Sequence, residues 1–425
     1  MTLVIFLVTL AATLATGVPV AFALIICAVA MGFALDMFDT QIITQRLVVG
    51  ANSFALLAIP FFLLAGELMN AGGMSKRIIA FAMAFVGHLR GGLGVVAIFA
   101  SIILASLSGS AAADTAALIA ILLPMMRAAG HDEARSVGLM TSGGIIAPII
   151  PPSIAYIILG VATNLSISQL FMAGIVPGIM MGLGALIAWL IVAQRDNVAP
   201  IPRQGWGQRL TATHQALWSL GLPVIILGGI RFGVVTPTEA AVIAAVYALF
   251  VGLFIYRELT LPQLFEAFRN AAMTTSVVML LAAAALATSW FISIADLSGI
   301  VLDIVEPLID HPKLLMFVIM LLVLAVGTAL DMGPTILILA PVLLPVVTAA
   351  GIDPIYFGVL FVINNAIGLV TPPVGIVLSV ASGVSKVSMH RVMVGSLPFL
   401  GAQIFVMFLL VLFPELVLTP MAWLR

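Results

Sequence analysis

The chain has 425 residues, 63% of them hydrophobic and only 8% charged, with a formal net charge of −1. A soluble protein carries about 25% charged residues. So little charge cannot cover a water-facing surface of this size, and lipid must be the solvent for most of it. The near-zero net charge also leaves no basic field for a nucleic acid. Apolar runs separated by polar knots predict about ten transmembrane helices, since a helical crossing needs about 20 residues.

The first Lys or Arg is Arg46, so the basic start of a cleavable signal peptide is missing. The first run, 2–35, is expected to stay in the membrane, with the N-terminus outside the cytoplasm. Gly17-Val18-Pro19 splits it in two, because proline removes a helix hydrogen bond and disfavours helix before it. Cys27, the sole cysteine, reads as a small packed apolar residue. A span follows at 54–69. The stretch 72–92 carries Lys76, Arg77, His88 and Arg90 around an apolar middle and predicts a helix lying at the interface. The run 93–126 is broken at its centre by Ser108-Gly109-Ser110, which predicts a re-entrant helical hairpin. Irregular backbone at membrane depth is tolerated only when buried in protein or lining a wet cavity. The run 136–161 is broken by Pro148, Pro151 and Pro152, and 170–192 is a plain span. The polar stretch 195–216, with Arg195, Arg203 and Arg209, predicts a cytoplasmic linker.

The second half repeats the first about 220 residues later. Pro124 and Ala128-Ala129-Gly130-His131-Asp132 return as Pro345 and Ala349-Ala350-Gly351-Ile352-Asp353. Pro151-Pro152 returns as Pro372-Pro373, Pro19 as Pro237, and Gly109-Ser110 as Gly327-Thr328. The chain therefore divides into a first repeat at 1–194 with a hairpin near 93–126, the linker, and a second repeat at 217–425 with a hairpin near 313–349. Loop 127–135 holds two arginines and its counterpart 349–356 holds none, whereas loop 36–39 has no basic residue and its counterpart around Arg257 is basic. Cytoplasmic loops are rich in Lys and Arg. Equivalent loops thus fall on opposite sides, which makes the repeat an inverted-topology one.

Two broken apolar segments at matching places point to a transport site. Carbonyls and hydroxyls freed at the breaks suit a hard cation such as Na⁺. The starts of the half-helices suit an anionic group. The first half offers Ser108, Gly109 and Ser110 facing Gly143, Gly144, Pro148 and Ser153; the second offers Gly327 and Thr328 facing Asn364, Asn365, Gly368, Thr371 and Pro372. The plainer reading of such Gly and Ser clusters is close helix packing. Asp114 and Asp331 lie near the tips at corresponding places, where a carboxylate either handles a cation or substrate, or caps the returning helix. Glu239, after Thr236-Pro237-Thr238, reads as a capping residue. Two other classes compete. A serine hydrolase at Ser108 needs a base within reach, but all five histidines are expected in polar loops, away from the tips. A channel needs a continuous pore, whereas two occluded tips favour alternating access.

Several segments carry a family resemblance: Leu57-Ala-Ile-Pro-Phe-Phe-Leu-Leu-Ala-Gly-Glu67, Gly87-His-Leu-Arg-Gly-Gly-Leu93, Ser108-Gly-Ser-Ala-Ala-Ala-Asp114, Ile150-Pro-Pro-Ser-Ile154, Leu170-Phe-Met-Ala-Gly-Ile-Val-Pro-Gly178, Thr236-Pro-Thr-Glu-Ala240 and Thr371-Pro-Pro-Val-Gly375. Together they span nearly the whole chain, which resembles the large membrane subunit of tripartite ATP-independent periplasmic (TRAP) transporters. The resemblance implies an all-α polytopic membrane protein of the bacterial inner membrane, with an elevator mechanism and coupling to two or more Na⁺. It implies two Na⁺ sites, one at Ser108, Gly109 and Ser110 with the 144–148 region, the other at Gly327 and Thr328 with the 368–372 region. Implied partners are a small four-helix membrane subunit, expected as a separate polypeptide, and a periplasmic substrate-binding protein. The implied substrates are organic acids: C4-dicarboxylates, sialic acid, or related sugar and keto acids. Similar repeats occur in sodium–anion symporters that work without a binding protein.

Overall fold

A computed structural model describes residues 2–195, 198 and 201–424. Every regular element among them is a helix. The first half runs α1 (Thr2–Ala15), α2 (Val20–Ala34), α3 (Thr40–Ala51), α4 (Ala58–Ala71), α5 (Met74–Val86), α6 (Gly92–Ser108), α7 (Ala111–Ala128), α8 (Glu133–Gly144), α9 (Ile154–Thr163) and α10 (Ile167–Val192). The second runs α11 (Trp206–Arg231), α12 (Pro237–Phe250), α13 (Leu261–Ile294), α14 (Leu297–Ile309), α15 (Pro312–Gly327), α16 (Met332–Ala349), α17 (Pro354–Gly368), α18 (Ile376–Ser385) and α19 (Met389–Leu412), followed by α20 (Glu415–Leu424). Among the described residues, eight helices are long and apolar enough to cross a membrane, two of them being the hairpin arms α7 and α16. The protein is an all-α polytopic membrane protein.

The broken runs form as expected. Helices α6 and α7 make one hairpin, and α15 and α16 the other. Helix α8 stops at Gly144 and α9 restarts at Ile154; α17 stops at Gly368 and α18 restarts at Ile376. Thr236 and Glu239 form a reciprocal capping box at the start of α12, so Glu239 is the cap that its spacing suggests.

The two halves interleave into two groups. In one, α13 packs along α2, α3 and α4, α12 packs on α4, and α11 packs on α5. In the other, α8 and α10 pack on α19, α7 on α18, α9 on α16, and α15 on α17. Both hairpins and both broken helices belong to this second group. The groups meet where α13 and α14 touch α16 and where α4 and α5 touch α6.

Several expectations need correction. Residues 40–51, to which the sequence assigns no element, form α3, which packs against α13. Helix α5 forms where an interfacial helix is expected, with Met74, Ser75, Ile78, Ile79, Ala82 and Ala84 buried on its inner face against α11 and α6. Part of the expected linker (196, 197, 199 and 200) lies outside the described residues, as do 1 and 425. From Trp206 on, the linker stretch is already α11, with Arg209 buried beside Phe85 and Trp206. The histidines are not all in loops: His214 is on α11, His390 is on α19, and His131 is buried against Trp189.

Candidate functional site

The first tip is closed by its own hydroxyls. Gly109 adopts φ +61°, and a Cβ there would sit 2.7 Å from the Pro152 carbonyl oxygen, so no side chain fits. Ser110 caps α7, accepting from the Ala113 N–H at 3.4 Å. Ser108 Oγ donates to Asp114 Oδ1 at 2.5 Å and accepts from the Ser110 N–H at 3.2 Å. Asp114 is 3% exposed, and its other oxygen, Oδ2, has no partner among the described residues. Thr115 beside it is fully buried with Oγ1 also unpartnered. That hydroxyl lies against the backbone of Gly144, where any Cβ would collide with it. Ser153 caps α9 and donates its hydroxyl to the Pro148 carbonyl at 2.5 Å. The structure thus brings Ser108, Gly109, Ser110, Asp114, Gly144, Pro148 and Ser153 together.

The second tip is longer, running from Thr328 to Asp331 where the first has only Gly109 and Ser110. Asp331 is therefore not the counterpart of Asp114. It is the N-cap of α16, exposed, and its Oδ1 accepts from the Met332 N–H at 2.8 Å. Ser110 holds that place in the first half. Gly327 touches Gly368 and Asn365: a Cβ on Gly368 would sit 2.7 Å from the Gly327 carbonyl carbon, and one on Gly327 would sit 2.9 Å from Asn365 Oδ1. Asn364 donates Nδ2 to the Met320 carbonyl, and Asn365 donates Nδ2 to the Met332 carbonyl at 3.3 Å. Both Oδ1 atoms are buried and lack a partner among the described residues. Thr328 and Thr371 each donate to a carbonyl of their own helix, at Ala325 and Ile367. Pro372 is exposed, whereas Pro151 and Pro152 are buried.

Between the tips lies a cavity of about 400 Å³. Its wall includes the starts of four half-helices: α7 at Ala111, α9 at Ile154, α16 at Met332 and α18 at Ile376. The far wall is α13 from Thr274 to Leu281, with Pro19 and Leu63. Free N–H groups give a helix start about half a positive charge. No Lys, Arg or His among the described residues lines the cavity, and Asp331 is its one charged group. Such a pocket can hold a small anion by backbone dipoles, with hydroxyl and carboxylate acceptors for its polar groups. A larger cavity of about 830 Å³, between α15, α17 and α20, contains none of the expected site residues.

The buried oxygens beside each tip, Asp114 Oδ2 with Thr115 Oγ1 and Asn364 Oδ1 with Asn365 Oδ1, are donors that a hard cation takes. Sequence reasoning missed Thr115. Its only signal is a hydroxyl next to Asp114 in an otherwise apolar helix.

Over residues 7–416 the chain matches the family described as the tripartite ATP-independent periplasmic transporter, DctM component. It is 53% identical over 428 residues to the 2,3-diketo-L-gulonate TRAP transporter large permease protein YiaN of Escherichia coli (strain K12), with 100% of both chains covered. It is 52% identical over 425 residues to a putative TRAP transporter large permease protein of Haemophilus influenzae, again over 100% of both. Among solved structures it is similar in fold to the Alcanivorax borkumensis YdaH transporter, with a TM-score of 0.65 at 14% identity over 89% of this chain and 90% of that one.

Proposed function

Because the chain belongs to the DctM component family of tripartite ATP-independent periplasmic transporters, we propose that it is the large membrane subunit of a sodium-coupled importer of an organic acid. The observation that carries this is the cavity shared by four half-helix starts, flanked on each side by buried oxygens without partners. The helix starts hold the substrate carboxylate. The flanking oxygens hold Na⁺, one ion at Ser108–Ser110 with Asp114, Thr115 and the 144–148 region, another at Gly327 and Thr328 with Asn364, Asn365 and the 368–372 region.

The substrate is a sugar acid or keto acid, and 2,3-diketo-L-gulonate, named for the relative at 53% identity, heads the panel to be tried. A cavity of about 400 Å³ suits a molecule of that size. The group with both hairpins moves as one body against the group of α1–α5 and α11–α14, carrying ions and substrate across in an elevator motion. The packing of each hairpin on the other half's broken helix supports such a body. The repeats are inverted in the inner membrane, with the basic loops at 127–135 and 257 in the cytoplasm. A separate small four-helix subunit and a periplasmic binding protein complete the system.

The test is uptake into proteoliposomes holding this chain and its small subunit, with a panel of organic acids, an imposed Na⁺ gradient, and the binding protein added or omitted. Uptake that needs the gradient and the binding protein supports the reading. Uptake with Na⁺ alone makes the chain a stand-alone symporter, and uptake indifferent to Na⁺ overturns the coupling.

A further inference from the structure

A cavity of about 450 Å³ lies far from the tips, where α5, α11 and the loop after α12 meet. Its wall combines Lys76 and Arg77 of α5, His214 and Trp218 of α11, and Tyr256 and Glu258 of the loop. Arg77 is fully engaged there. It pairs with Glu258 at 2.7 Å, donates to the Gly73 carbonyl at 3.0 Å, and stacks on the Tyr256 ring at 3.7 Å. Tyr256 in turn donates to the Gln215 carbonyl at 2.7 Å. This arrangement braces the floor of the cavity and neutralises Glu258.

Lys76 and His214 stand at the wall of that braced floor, exposed and without a partner among the described residues. With Arg77 balanced by Glu258, Lys76 leaves the cavity with one uncompensated positive charge. Trp206, Leu210, Leu217 and Val224 form an outward apolar stripe on α11, each between 57% and 72% exposed. A stripe of that kind on a membrane helix faces acyl chains, so the cavity opens beside lipid. Trp218 at its rim, 40% exposed, is the residue type that settles at the level of lipid headgroups.

We propose that this cavity binds the headgroup phosphate of an anionic phospholipid, with Lys76 and His214 holding the phosphate and Trp218 packing on the glycerol. Basic pockets between membrane helices on the cytoplasmic side suit such headgroups. The cytoplasmic leaflet follows from the orientation proposed above, while the binding chemistry does not depend on it. The bound lipid ties α5 of the first half to α11 and α12 of the second, inside the group that the elevator leaves stationary.

Native mass spectrometry of the purified chain tests this, titrating phosphatidylglycerol and phosphatidylcholine. Phosphatidylglycerol is expected to bind preferentially, with its affinity reduced about fivefold by Lys76→Gln, reduced also by His214→Gln, and kept by Lys76→Arg. Lys386→Gln, on the other group, is expected to leave it unchanged. Size-exclusion profiles establish that each variant is folded. Equal binding of the two lipids, unchanged affinity in both Lys76→Gln and His214→Gln, or displacement of the lipid by millimolar inorganic phosphate overturns the proposal.

Discussion

Asn364 and Asn365 each donate their amide N–H to a carbonyl and leave a buried Oδ1 without a partner among the described residues. An unsatisfied buried acceptor costs about 1–3 kcal/mol, so the pair has a physical reason to attract a cation. Asn365→Ala is expected to raise the Na⁺ concentration for half-maximal uptake about tenfold, a change of about 1.4 kcal/mol; an unaltered Na⁺ titration excludes Asn365 from the site. Asp331→Ala and Thr328→Ala are expected to lower uptake while the protein stays folded in the membrane. Wild-type uptake with wild-type Na⁺ dependence in either variant removes that residue from the coupling site. Both helix breaks were legible in the sequence, because small residues interrupt an apolar run at matching places in the two halves. The motifs did not expose Thr115, whose place depends on Gly144 approaching from another helix. They also paired the wrong aspartates, since motif spacing does not show that the second tip is longer.

Among the elements, α13 has 34 residues and is about 50 Å long, more than a bilayer core of about 30 Å requires. Its counterpart in the first half is interrupted between α3 and α4. Helix ends at Gly and Pro were legible in the sequence, but α3 was not, because its polar residues acquire a helical reason only from α13 beside them. Close helix contacts have the same origin. A Cβ on Gly138 of α8 would collide with the backbone of Gly395 on α19, and Trp189 of α10 donates to the Gly91 carbonyl at 2.8 Å. Gly138→Val is expected to destabilise the fold by about 1–3 kcal/mol through overpacking, read as a lower Tm. Gly401→Ala, on the same α19 but facing open space, is expected not to lower it. Equal thermal stability of Gly138→Val and the parent chain disproves the contact. Trp189→Phe is expected to cost about 1 kcal/mol in the same assay, and an unchanged Tm shows that the hydrogen bond contributes nothing.

Across the whole molecule, spacing alone suggests a repeat, but it does not show how the two halves interleave. Periodicity shows that α7, α9, α16 and α18 exist, not that α7 lies on α18 and α16 on α9. The proposed inversion has a direct check. Cys27 is buried, so a Cys27→Ala background accepts new labels cleanly. Cysteines at the exposed positions Ala128 and Ala349 are expected to react with impermeant reagents from opposite faces of the membrane. Reaction from one face sinks the inverted arrangement. The contact of Gly138 with Gly395 bears on energy conversion. It holds the broken helix of the first half against α19, which continues directly from the broken helix of the second. Neither proposed ion site can then be displaced without the other. Under the proposed elevator motion the two tips then share one stroke, so whatever sits at either tip crosses in the same step.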